Sequence, residues 1–161
     1  MPDPGPSGHG SSMATLLGEE KTGWDELESL IEPLSPEQAE VPGYLPGWSV
    51  KDFLAHLAGW LSEAGRALQQ IGSGTFTEDD VDVDARNEEF VDANRDQPLP
   101  VVLAELRAAH RRMLRRLHGF TEIPPSAEGI LRKAGPRHYA QHLPRLREWV
   151  AELGSERAPS E

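Results

Sequence analysis

The 161-residue chain has no cysteine. That removes disulfides, thiolate metal sites, iron–sulfur clusters and a protein-borne sulfur nucleophile. Positive charge is scarce as well. Sixteen Lys and Arg face 27 Asp and Glu, a net charge of −11, whereas neutralising nucleic-acid phosphates needs concentrated cations. No apolar run approaches the roughly 20 residues of a bilayer span. The opening MPDPGPSGHGSSM offers neither a basic n-region nor an apolar h-region, so no secretory signal is expected and cytoplasmic residence is the default. Runs of β-branched residues with a period of two are missing too, which leaves little from which to build a sheet.

Residues 1–13 hold three Pro, three Gly and three Ser with almost nothing to bury, and residues 154–161 read GSERAPSE. Both are expected to be disordered tails. The folded part is then a single unit over residues 14–153. Within it, apolar residues recur at three- and four-residue steps, the helical period. The pattern predicts helices over about 14–34 (Leu17, Trp24, Leu27, Ile31, Leu34), 50–71 (Phe53, Leu57, Leu61, Leu68), 99–117 (Val102, Leu106, Met113, Leu117) and 136–153 (Tyr139, Leu143, Leu146, Leu153). A shorter helical stretch covers 83–94 after the acidic connection TEDDVDVD. Ser49 is a suitable N-cap for the second helix, with Asp52 three residues on, as in a capping box. Residues 120–135, punctuated by Pro124, Pro125, Gly129 and Gly135, are expected to be loop. The class is all-α, and four long amphipathic helices predict a four-helix bundle.

Four histidines call for geometry. His138 and His142, in HYAQH, lie one turn apart on a helix face, about 80° and 40° from the apolar stripe. They are either two partly exposed rings or a pair sharing a metal. His56, in KDFLAHLAGW, sits about 100° from the middle of its helix's stripe. It is either a rim histidine or a third ligand completing the three-histidine set of a catalytic zinc site, with one position open. His110 falls inside the stripe of its helix, as a core histidine or as a proton shuttle beside the site. Gln141 stands where a metalloprotease motif would carry Glu, so that general base is missing. Pro144 predicts a kink beside the pair. His9, in the tail, and His118, at a helix C-terminus, read as incidental.

The segments GWSVKDFLAHLAGW, DARNEEFVDANRDQPLPVVLAELRAAHRRML and HYAQHLPRLREWV together resemble the DinB/YfiT-like superfamily. The resemblance covers about residues 14–153 and is closest to the ClbS/DfsB-type and mycothiol-dependent S-transferase relatives. It implies a bundle in up-down-down-up order with a long connection between the second and third helices. It also implies a divalent metal, zinc or nickel, held by one His of the second helix and two of the last: His56, His138 and His142. Relatives use that metal to activate water or a low-molecular-weight thiol such as mycothiol, whereas the ClbS-type branch opens electrophilic rings without needing one. The expected function is therefore delivery of activated water or thiol to an electrophilic small molecule, as a hydrolase or thiol S-transferase in detoxification or self-resistance. Its alternatives are a metal-free ring-opening hydrolase and a non-catalytic sequestering bundle.

Asn87 shares a helix face with Val83, Phe90 and Asn94, where an amide needs a partner. It either bonds backbone or serves the site, with Asp84 and Glu88 as alternative carboxylates beside the metal. The candidate catalytic groups are Asn87 and His110. Trp60 and Tyr139 are either pocket lining or core. Arg107, Arg111, Arg112, Arg115 and Arg116 form a basic face, either solvated or a docking site for a carboxylate or a thiol cofactor. A small-molecule substrate is expected, with no nucleic acid or membrane partner. A homodimer built through the middle segment is a further expectation.

Overall fold

The computed structural model describes residues 12–156; the rest of both expected tails, His9 included, lies outside the described residues. Seven helices are present there: α1 (Met13–Ile31), α2 (Pro36–Glu40), α3 (Val50–Ser73), α4 (Val83–Asn94), α5 (Leu99–His118), α6 (Pro125–Ala134) and α7 (Pro136–Glu156). The long four, α1, α3, α5 and α7, are those the periodicity predicts. Among the described residues there is no strand, only an isolated bridge between Leu45 and Trp48.

Contacts along the helices fix their directions. Lys51 at the start of α3 bonds the carbonyls of Arg95 and Gln97 just before α5, and Gly72 at its end lies against Phe120 just after α5. These two helices therefore run side by side in the same direction. Rising numbers also pair between α1 and α7: Gly23 meets Tyr139 and Glu26 meets Arg147. Phe53 and His56 of α3 meet His142 and His138 of α7 in reverse order, so that pair is antiparallel. The result is up-down-down-up, with α4 crossing back from the end of α3 toward the start of α5.

The buried core is drawn from all four long helices, with Leu27, Leu54, Leu57, Leu61, Leu106 and Met113 at its centre. On α3 burial is unbroken from Phe53 to Ala58 and returns at Leu61 and Leu68, so this helix is the middle of the bundle. Its N-terminus carries the expected capping box: Ser49 Oγ accepts from Asp52 N at 3.2 Å, and Asp52 Oδ2 accepts from Ser49 N at 2.9 Å.

Several expectations need correction. Leu16, not Leu17, is the fully buried leader of the α1 stripe, and Glu20 is buried within it. α1 ends at Ile31: Glu32 still has helical dihedrals and donates to the Glu28 carbonyl, but Pro33 has no N–H with which to continue the ladder. Residues 125–134 are helical rather than loop. Pro124 and Pro125 occupy the cap and first helical positions, where a missing N–H costs nothing, so they start α6 instead of breaking it. α2 opens the same way, with Pro36 after a Ser35–Gln38 capping box. On α4 the buried residue is Val91, while Val83 is exposed. α7 runs past Gly154 to Glu156 and continues through Pro144.

Candidate metal centre

The turn before α3 begins the site. Leu45-Pro46-Gly47-Trp48 closes on itself, with Leu45 and Trp48 exchanging backbone hydrogen bonds of 3.2 and 2.9 Å. Gly47 has φ +77°, which L side chains rarely adopt. Pro followed by a left-handed Gly is the sequence of a type II turn. It carries the Trp48 ring to 5.0 Å from the His56 ring, and Phe53, one turn before His56, lies 4.9 Å from His142.

Between these aromatic walls the three histidines converge. His56, His138 and His142 offer ring nitrogens that all lie within 4.8 Å of one another. Nε2 of His56 and Nε2 of His138 are 2.9 Å apart. A tetrahedral ion with bonds of roughly 2.0–2.1 Å sets its nitrogen ligands about 3.3 Å apart, so small side-chain adjustments suffice to surround one point. HYAQH supplies two of the rings because residues one turn apart share a helix face.

Electrostatics suit the same use. Burial, reinforced by the neighbouring His142, lowers the His56 pKa to about 4. Burial and the two facing imidazoles lower His138 to about 3, and burial lowers His142. The rings are thus held neutral near pH 7, the form that donates a lone pair.

The Ala134 backbone beside His138 partly offsets the fall in that ring's pKa. Nδ1 of His56 is buried without a hydrogen bond. The Asn87 carboxamide lies beside that ring, where it partly offsets the fall in pKa, and its oxygen accepts from Trp60 Nε1 at 2.7 Å. A buried ring nitrogen without a partner, in an imidazole whose other nitrogen faces a second imidazole, fits a site that would hold a metal.

The other candidates separate clearly. Asn87 belongs to this cluster. His110 does not: its ring stacks on Trp24 with centroids 3.6 Å apart, and its Nε2 bonds Glu20 Oε1. Tyr139 donates to the same Glu20 oxygen at 3.0 Å, so it is core rather than pocket lining. Asp84 and Glu88 are exposed. Trp60 packs edge-on against Phe90 and holds Asn87. Arg107 is taken up by a two-pronged bond to Glu28 at 2.9 Å. Sequence reasoning missed Glu20. Its signal was a carboxylate one turn before Trp24 in an apolar stripe. It also placed Phe53 only in the core and used Trp48 only as a motif.

A family model described as "Mycothiol maleylpyruvate isomerase N-terminal domain" matches residues 21–153. The chain belongs to this family. It is a DinB/YfiT-like family, and the bundle order above is the one that resemblance implies. No curated protein matches in sequence. A crystal structure of an uncharacterised protein from Escherichia coli UTI89 matches with TM-score 0.75 at 17% identity, covering 88% of this chain and 94% of that one. At that identity it speaks for the fold alone. No helix among the described residues is long and apolar enough to cross a membrane.

Proposed function

We propose that this family member is a metal-dependent enzyme that delivers an exogenous low-molecular-weight thiol, of the mycothiol kind, to an electrophilic small molecule. The observation that carries the reading is the convergence of three neutral imidazoles from two helices. The family's description, which names mycothiol, supports the thiol. So does the composition, because a chain without cysteine must borrow its sulfur.

A divalent metal bound by His56, His138 and His142 supplies Lewis acidity, which lowers the pKa of a thiol or water reaching it. The remaining work belongs to the protein. The Asn87 carboxamide, held by Trp60, stands beside the His56 ring. Trp48 and Phe53 shield one side of the site, where a drier environment strengthens each charge interaction. No carboxylate joins the three rings among the described residues, so the donor set the chain offers is neutral and would leave a bound ion's charge uncompensated by protein ligands.

The test is turnover of an electrophilic probe by zinc-loaded protein, with and without thiol. Thiol adduct formed by the wild type and lost in His138→Ala supports the reading. Hydrolysed probe without thiol dependence assigns water as the nucleophile. Turnover that survives chelation indicates metal-free ring opening, and tight probe binding without turnover indicates sequestration; either one overturns the metal-dependent account.

A further inference from the structure

α4 has little claim on the core. Of its residues only Val91 is buried, and Asp84, Glu88, Glu89 and Asp92 are exposed. Yet it carries Asn87, whose carboxamide lies beside the His56 ring. What holds so polar a helix in place therefore bears on the metal centre.

α4 runs antiparallel along α3, and contacts at falling numbers mark the seam. Lys51 Nζ bonds the Arg95 and Gln97 carbonyls, just past the end of α4, at 3.1 and 2.9 Å. The Phe90 ring lies over Gly59. Trp60 Nε1 donates to Asn87 Oδ1 at 2.7 Å, and Glu63 meets Arg86 at 3.6 Å. The last pair is partly exposed and contributes little, and Lys51 fixes only the far end of the helix. The two inner contacts decide where Asn87 stands.

Gly59 sets the depth. A Cβ built on it would fall on Cγ and both Cδ carbons of Phe90. Those atoms are the base of the ring, which yields only through χ1 or the backbone. The missing side chain is what lets α4 lie this close. Phe90 and Asn87 are three residues apart on one face of α4, so the approach that seats the ring also brings the carboxamide down onto α3. Trp60 sets the orientation. An indole N–H only donates, so the amide atom it meets is the oxygen, and the amide cannot turn over without losing that bond. The same indole packs edge-on against Phe90, with centroids 5.4 Å apart. Trp60 follows His56 by one turn on the same face of α3, so an amide held by its N–H is held next to that imidazole.

We infer that Gly59 and Trp60 are positioning residues of the metal centre: together they seat α4 so that the Asn87 carboxamide is held against His56. The inference rests on the metal-centre reading above and extends it to two residues that offer no ligand atom.

Zinc titration of tag-free, dialysed full chain provides the test, with Gly59→Ala, Trp60→Phe, Asn87→Ala and the two combinations with Asn87→Ala. Trp60→Phe keeps an aromatic ring against Phe90 and deletes the N–H, so it serves even where Gly59→Ala does not fold. Each single substitution should weaken zinc binding about tenfold or more. In the Asn87→Ala background neither should weaken it further, because the group they position is already gone. A merely structural role would lower stability to urea and leave the zinc affinity of the folded protein unmoved. A second readout needs no metal: in nitrogen-correlated spectra of the zinc-free protein, the His56 ring signals should move in Gly59→Ala and Trp60→Phe toward their positions in Asn87→Ala. A wild type that binds no zinc would sink the metalloenzyme reading, and these spectra would still decide the seating. Wild-type zinc affinity in the variants, losses that add to that of Asn87→Ala, or unmoved His56 signals would overturn the inference.

Discussion

Two histidine clusters lie inside the bundle, and they differ in the company the rings keep. Around His110, a buried carboxylate and a phenol complete the chemistry: Glu20, 1% exposed, accepts from both His110 and Tyr139. Around His56, His138 and His142 there is no acid among the described residues, and two ring nitrogens face each other instead. The first cluster gives its histidine a carboxylate partner through Glu20 Oε1 and ties α1 to α5 and α7, while Glu20 Oε2 stays without a partner. The second keeps three lone-pair donors neutral and leaves a nitrogen orphaned, an arrangement that an ion would relieve. A histidine in a helical stripe is therefore not informative by itself. Whether a carboxylate reaches it decides between a structural and a ligating role.

Substitutions should separate the two clusters. The largest effect on folding is expected for His110→Ala, which strands the Glu20 carboxylate: unfolding free energy should fall by about 3–5 kcal/mol in urea titrations, with metal stoichiometry of the folded fraction unchanged. The triad should respond in the opposite way. His138→Ala should weaken metal binding by more than about 100-fold while changing the stability of the metal-free protein far less.

Acid should sharpen the same contrast. His56 and His138 titrate near 4 and 3 when folded and near 6.5 when unfolded. Above pH 6.5 both states hold them neutral. As pH falls below 6.5 the unfolded chain takes up protons that the folded chain refuses, so the metal-free protein should lose up to a few kcal/mol on approaching pH 4. Replacing both rings with Gln should flatten that slope in pH-dependent denaturation curves. A smaller effect is expected from Asn87→Ala, which removes the carboxamide beside the His56 ring and should cost about 10–100-fold in metal affinity, read by competition with a chromophoric chelator. The smallest is expected for Tyr139→Phe, which deletes a single hydrogen bond to Glu20 and should cost about 1 kcal/mol of stability without changing metal affinity.

The sequence displayed the long helices because their stripes are wide and regular, and Ser49 with Asp52 marked the start of α3. It concealed α2 and α6 because Pro reads as a breaker unless its position relative to the cap is known. The convergence of His56 with the pair at 138 and 142 was legible through resemblance, whereas spacing alone left each ring with two readings. Asn87 was legible as an amide on a helix face, although the face itself is led by Val91 rather than Val83. Glu20 was hidden because its partners stand 90 and 119 residues away, and no local pattern connects such distant positions. Tyr139 shows the limit of adjacency: it neighbours His138 in the chain, but successive helical residues point about 100° apart, so it serves the other cluster.

The central claim is most directly tested by equilibrium zinc binding to tag-free, dialysed protein, comparing the wild type with His138→Ala and His110→Gln. The account predicts one tightly bound ion per chain in the wild type and in His110→Gln, and none in His138→Ala. Stoichiometric zinc retained by His138→Ala, or no zinc bound by the wild type, would contradict it.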